Sequence, residues 1–274
     1  TLRSGSMKLL DLTTKISSPI AGVPEVASKG QGGLLDVRVR TIDSKTYLYF
    51  TFSEPKPEGQ TTSLVRAELI DKKLHNVQKL FAAQPANSKD IHFGSRIEFD
   101  DTNHLYMGIG DRNDRPKVQD LQSHLGKIIR LNLDGSIPKD NPFIQTKGAQ
   151  PEIWSLGHRN PQGLSFHPLT KKLWESEFGP RGGDEINIIQ PKLNYGWPVI
   201  TYGKEYYGPS IGEGTHKEGM QQPVRQYSPV ISPSAIHFYT GSKFPQWKNN
   251  LFIATLSSTH LRRLEITDSK ITSE

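Results

Sequence analysis

Gly94-Ser95-Arg96-Ile97-Glu98-Phe99, followed by Asn103-His104-Leu105-Tyr106-Met107-Gly108, is a short alternating apolar strand, a turn and a second apolar strand. The same order returns in Gln162-Gly163-Leu164-Ser165-Phe166 with Lys172-Leu173-Trp174-Glu175-Ser176. It returns again in Ser234-Ala235-Ile236-His237-Phe238 with Asn250-Leu251-Phe252-Ile253-Ala254. A fainter copy is Gly33-Leu34-Leu35-Asp36-Val37 with Thr46-Tyr47-Leu48-Tyr49-Phe50. With Gly33, Ser95, Gly163 and Ala235 taken as equivalent, the copies lie 62, 68 and 72 residues apart. A hairpin recurring at that spacing, with no helical period between copies, reads as a β-propeller with large blades. Loops of successive blades then converge at one end of a shared axis, and chemistry is expected there.

The spacing predicts blade-like units over about 31–90, 91–155, 156–227 and 228–274, each opening on an innermost strand. Before them come a strand from Met7 to Leu12 and a loop through Pro19 and Pro24. Leu125 to Leu133 reads as a strand ending in the Asp134-Gly135 turn. Asp111–Leu121 and Tyr202–Gln222 are long polar connections of the kind that carry function. The last strand is expected at Leu261–Ile266, with no closing unit after it. Four units and a fragment leave sheet edges uncovered. Residues 1–274 therefore read as a single propeller domain truncated at both ends.

Composition narrows the classes. No apolar run of about 18 residues exists, so no helical membrane span is encoded. Thr1-Leu2-Arg3-Ser4-Gly5-Ser6 offers no apolar core of a signal peptide. With no Cys there are no disulfides and no thiolate metal sites. The net charge of +6 is spread along the chain without the Lys/Arg clusters that nucleic-acid binding needs, so a nucleic-acid partner is not expected.

Four segments place polar residues at strand ends. In Lys29-Gly30-Gln31-Gly32-Gly33, glycines around Gln31 allow close approach to a ligand, or simply make a tight turn. His92, before an inner strand, can act as a general base if Asp111, at the end of the paired strand, holds its other ring nitrogen; alone it would be structural. Arg159 and Asn160 project adjacent donors suited to carboxylate or quinone oxygens, or else cap a solvated turn. Glu177 to Asn187, then Asn194-Tyr195-Gly196-Trp197-Pro198, combine carboxylates with Gly-rich backbone. Such hard oxygen ligands suit Ca²⁺ rather than zinc, and a solvated acidic turn is the plainer alternative.

Together, Gly157-His158-Arg159-Asn160-Pro161-Gln162-Gly163, Gly183-Asp184-Glu185-Ile186-Asn187 and Asn194-Tyr195-Gly196-Trp197-Pro198 make the chain resemble the glucose/sorbosone dehydrogenase family, the soluble PQQ-dependent aldose sugar dehydrogenases. The resemblance runs from about Gly30 to Ile266. It implies an all-β, six-bladed β-propeller, here about four blades plus a fragment. It also implies oxidation of an aldose at C1 to the lactone, with PQQ as hydride acceptor, Ca²⁺ as metal and an electron acceptor left open. By the resemblance His92 is the base, Asp111 steadies it, and Arg159 stabilises charge on the quinone. Gln31, Arg159 and Asn160 fall on PQQ-contacting positions, and Tyr206 lies near one that can border PQQ. The carbonyls of Gly179 and Pro180 match the holders of the cofactor-bound Ca²⁺, and Glu185 and Tyr195 match a second calcium site. A periplasmic or secreted location is implied in the same way. Phe178 stands where the family has Gln or His, and Ser257 where it has a basic residue that pairs with a PQQ carboxylate. Those departures leave open a catalytically inactive propeller that binds sugar or protein. A Ca²⁺-dependent lactone hydrolase would need no Arg-Asn clamp.

Overall fold

The computed structural model describes residues 1–257 and 259–274. An N-terminal hairpin of β1 (Met7–Leu10) and β2 (Ser17–Ile20) precedes four four-stranded antiparallel sheets, each made of consecutive strands. The first sheet is β3 (Leu34–Ile42), β4 (Lys45–Lys56), β5 (Gly59–Ile70) and β6 (Lys73–Ala82). The second is β7 (Ile97–Phe99), β8 (His104–Ile109), β9 (Lys127–Asn132) and β10 (Ile153–Leu156). The third is β11 (Pro161–Phe166), β12 (Leu173–Glu177), β13 (Asp184–Ile189) and β14 (Arg225–Tyr227). The fourth is β15 (Pro233–Phe238), β16 (Leu251–Thr255), β17 (Leu261–Thr267) and β18 (Lys270–Ser273). Each first strand packs against the next one: β3 on β7, β7 on β11, β11 on β15. The repeated hairpins are thus the inner halves of successive propeller blades.

Two expectations from sequence need correction. Pro19 does not lie in a loop but in β2, paired with Lys8 at the edge of the hairpin, where a missing N–H costs no ladder bond. The chain does not stop after the Leu261–Ile266 strand, because β18 follows and completes the fourth sheet. The Asp111–Leu121 connection also carries a short 3-10 turn, Arg115–Val118, which buries Val118.

The cores lie between sheets. Tyr49 and Leu64 of the first sheet meet Ile97, Leu105, Met107 and Ile129 of the second. Tyr106 and Ile128 meet Leu164, Leu173 and Ile189 of the third, and Trp174 and Ile186 meet Ile236, Phe238 and Leu251 of the fourth. Sheets covered on both faces need apolar residues at successive positions, which is why β4 and β8 read as nearly continuous apolar runs.

Three inner strands carry a β-bulge where they enter the sheet. The register slips between Leu34 and Val37, between Pro161 and Gly163, and between Pro233 and Ala235. In the second sheet the matching place is Ser95, whose φ of 88° lies in the left-handed region. A bulge re-aims the backbone just before the strand. It turns the preceding loops, with His92 and Arg159-Asn160, toward one end of the molecule.

Candidate active site

His92 precedes and Asp111 follows the β7–β8 hairpin, so both stand at its open end, and they meet at 2.7 Å, His92 Nδ1 to Asp111 Oδ1. His92 adopts a positive φ of 52°, and its backbone N–H donates to the Gln31 side-chain oxygen at 2.8 Å. Gly110 makes this possible: a Cβ there would lie 2.0 Å from the His92 carbonyl oxygen. Asp111 is fully buried. Its Oδ1 also accepts from the Asn113 N–H, and its Oδ2 accepts from the Trp197 indole N–H at 2.8 Å. Burial would raise the carboxyl. The bond and charge of His92, the Asn113 amide and the Arg159 charge outweigh it and hold Asp111 below the usual carboxylate range.

Arg159 and Asn160 arrive from the loop before β11. The Asp111 N–H donates to the Arg159 carbonyl at 2.8 Å, which locks the two loops together. Arg159 Nη1 donates to the carbonyls of Phe178 and Gly179, both at 2.9 Å, and Nη2 reaches the Tyr206 hydroxyl at 3.4 Å. Its Nε is buried and meets no acceptor among the described residues. Asn160 Oδ1 accepts from the Gly94 N–H and from Gln162 Nε2, so the amide nitrogen is what this side chain offers a ligand. Beside it opens a cleft of about 430 Å³ lined by Gln31, Asp36, Arg96, Asn160, Gln162 and Phe178.

The acidic segment forms a buried cluster. Asn187 Nδ2 faces carboxylate oxygens of Glu175, Glu177 and Glu185 at 3.1, 3.4 and 3.3 Å. Glu175 Oε1 and Asn187 Oδ1 are buried without partners. Burial, and then repulsion from Glu177, pushes both Glu175 and Glu185 well above the ordinary carboxylate range. A cavity of about 10 Å³, room for one small particle, is lined by Glu177, Gly179, Pro180, Glu185 and Tyr195. All four residues expected to hold metal therefore border one space. The Tyr195 hydroxyl is committed elsewhere, to the Ile188 carbonyl at 2.7 Å, and the Gly179 carbonyl already accepts from Arg159.

The residues expected at one mouth are brought together: Gln31, His92, Asp111, Arg159, Asn160 and Tyr206 form one bonded chain. Ser257 donates instead to the Val230 carbonyl and is exposed. Two residues named in the sequence only as parts of longer segments turn out to have roles of their own. Glu177 Oε2 accepts the backbone N–H groups of Arg159 and Asn160 and so fixes the loop that presents both. Its sequence signal is its place at the head of the acidic segment, two residues after Glu175 in Leu173-Trp174-Glu175-Ser176-Glu177. Trp197 is the other, and a buried Trp in a Gly-Trp-Pro turn looks like ordinary core.

Fold and site together define an all-β propeller protein with an imidazole–carboxylate pair and a guanidinium–amide pair at one mouth. The family model of Glucose / Sorbosone dehydrogenase matches residues 1–274, and the chain belongs to that family. The aldose sugar dehydrogenase YliI of Escherichia coli is 40% identical over 280 residues, covering 100% of this chain and 76% of that protein. A crystal structure of a glucose dehydrogenase superposes with a TM-score of 0.97 at 39% identity, covering 100% of this chain and 81% of that one. The PQQ-bound aldose sugar dehydrogenase of Streptomyces coelicolor superposes with a TM-score of 0.78 at 30% identity, covering 99% and 74%. Among the described residues no helix is long and apolar enough to cross a membrane.

Proposed function

We propose that the protein is a PQQ- and Ca²⁺-dependent dehydrogenase, one propeller domain acting in the periplasm or outside the cell, that oxidises an aldose at C1 to the lactone. The observation that carries this reading is the His92–Asp111 pair, 2.7 Å apart and joined through backbone to Arg159. An ionised Asp111 can only accept, so His92 carries its proton on Nδ1 and leaves Nε2 as a base for the C1 hydroxyl proton. Bound PQQ supplies the two-electron acceptor for the hydride that leaves C1.

The residues present fit both groups. The unpaired Arg159 Nε leaves a donor for an acceptor, and the Gln31 and Asn160 amides line the neighbouring cleft. Gln31, Arg159 and Asn160 would hold the cofactor, with Tyr206 at its border and Arg159 countering negative charge on quinone oxygens. The partnerless oxygens of Glu175 and Asn187, among carboxylates pushed toward protonation, suit hard cations: the Gly179 and Pro180 carbonyls would hold the cofactor-bound Ca²⁺, and Glu185 and Tyr195 a second one. Phe178, on the cleft wall, offers a ring face rather than a polar contact.

Reconstitution with PQQ and Ca²⁺, followed by dye-linked assay of aldose oxidation and product analysis, tests the proposal. Lactone formation, lost in His92→Asn with cofactor binding retained, is the expected result. Absence of PQQ binding would leave an inactive sugar- or protein-binding propeller, the reading that Ser257 favours. Lactone hydrolysis without the cofactor would point to the hydrolase.

A further inference from the structure

Trp197 lies between the two functional pairs of the mouth. Its edge and its faces meet different partners. The indole N–H donates to Asp111 Oδ2 at 2.8 Å. The ring lies 5.4 Å from the Arg159 guanidinium and 5.1 Å from that of Arg115. Arg115 in turn is bidentate to Glu205, the neighbour of Tyr206, whose hydroxyl meets Arg159. The indole is buried against Val118 and Ile211. Its backbone is pinned at both ends, N–H to the Gly157 carbonyl at 2.9 Å and carbonyl to Gln119 Nε2 at 2.7 Å. The ring is therefore held before any ligand arrives.

An indole N–H is a donor only, so it favours Asp111 as an acceptor, the ionised form. With Oδ2 taken by Trp197 and Oδ1 shared by His92 and the Asn113 amide, the carboxylate cannot rotate without breaking charge-assisted bonds. A fixed, ionised acceptor at Nδ1 selects the neutral imidazole tautomer that carries its proton there. We infer that Trp197 is a positioning residue that sets the tautomer of His92 through Asp111 while its ring face holds the Arg159 guanidinium in register with it. Removing the N–H frees Asp111 to turn and lets the Nε2–H tautomer compete. The inference deepens the proposed function and rests on it for its catalytic meaning, but the tautomer can be read without any cofactor.

The test uses ¹⁵N-labelled protein without PQQ, in which long-range ¹H–¹⁵N spectra distinguish the tautomers of His92. Wild type should show Nδ1–H, and Asp111→Asn serves as the control that must change the signature. Trp197→Phe keeps a ring for the guanidinium groups and removes the N–H. It should raise the Nε2–H fraction roughly tenfold, the order expected for one lost charge-assisted bond. In the PQQ-loaded enzyme, kcat should fall in proportion to the loss of the Nδ1–H form, with KM for the sugar within about twofold. If Trp197→Phe does not fold, site-specific replacement by benzothienylalanine, a sulfur isostere without the N–H, makes the same comparison. An unchanged His92 tautomer in a folded variant overturns the inference. Wild-type protein that oxidises no aldose would defeat the proposed function instead, and the tautomer comparison would still decide the role of Trp197.

Discussion

In the first sheet, strands of 9 to 12 residues bury Tyr49, Phe50 and Leu64 completely, and the polar side chains inside it are mostly hydroxyls. Thr51, Thr61 and Thr62 donate to the carbonyls of Ser95, Ala83 and Phe93 at 3.0, 2.6 and 2.9 Å. In the third sheet, strands of 3 to 6 residues bury Glu175, Glu177, Asp184 and Asn187, and two of their oxygens have no partner. Among the described residues the first sheet leaves Gln60 Oε1 without a partner, whereas the third leaves Trp174 Nε1, Glu175 Oε1, Asn187 Oδ1 and the Tyr227 hydroxyl, two of them inside its carboxylate cluster. Buried polar atoms without partners destabilise a fold, so their concentration around the carboxylates of the third sheet points to a task beyond folding.

The comparison can be broken at its apolar end first. Phe50→Ala should cost roughly 3–5 kcal/mol of stability, read by chemical denaturation, because a fully buried ring leaves a cavity. The protein that remains folded should keep wild-type kcat, since Phe50 touches nothing at the mouth. A large change in kcat would show that the first sheet is not merely a support.

Glu177→Gln tests the opposite sheet. Gln keeps the shape but replaces charged acceptors of two backbone amides, which should cost about 2 kcal/mol and loosen Arg159 and Asn160 together. Calorimetry should then find PQQ affinity reduced by roughly tenfold or more. A stability loss with unchanged affinity would make Glu177 a structural anchor only.

Acid titration sharpens the contrast further. Asp111 is held below the usual carboxylate range, so its contribution to stability is complete above the unfolded value of about 3.9 and is lost as pH falls through the lower native value. Asp111→Asn should therefore flatten the dependence of Tm on pH below about 4. An unchanged acid limb would mean that Asp111 is not held ionised by its neighbours.

The smallest effect is expected at Ser257. Ser257→Lys puts a cation where the side chain now only meets the Val230 carbonyl, and should tighten PQQ about tenfold in a salt-sensitive manner. An affinity that ignores salt would remove Ser257 from the cofactor's surroundings.

Much of this was legible in the chain because the inner hairpins repeat an alternation with a fixed period. The equivalent residues Gly33, Ser95, Gly163 and Ala235 fall at or beside the bulges that open inner strands. Outer strands were harder. β2 carries Pro19 and β18 is Lys270-Ile271-Thr272-Ser273, and an edge strand half in water needs no apolar alternation. Within the site, His92, Asp111, Arg159 and Asn160 could be read from their places at strand ends. Their supports could not, because Trp197 reaches Asp111 across 86 residues and no local pattern records such a bond.

Arg96 carries a consequence of its own. From just before β7, its guanidinium donates to Asp36 of the first sheet at 3.0 Å, to the Gln162 carbonyl of the third at 2.9 Å and to the Ser234 carbonyl of the fourth at 3.0 Å. Repeat proteins whose units touch only their neighbours can fray unit by unit. Here one side chain is a spoke shared by all four sheets, and its bond to Ser234 closes a loop of 138 residues. A contact so distant in sequence forms after the shorter closures have been made. The four sheets should accordingly melt in a single transition, and the mouth they encircle should keep its shape until the whole molecule lets go.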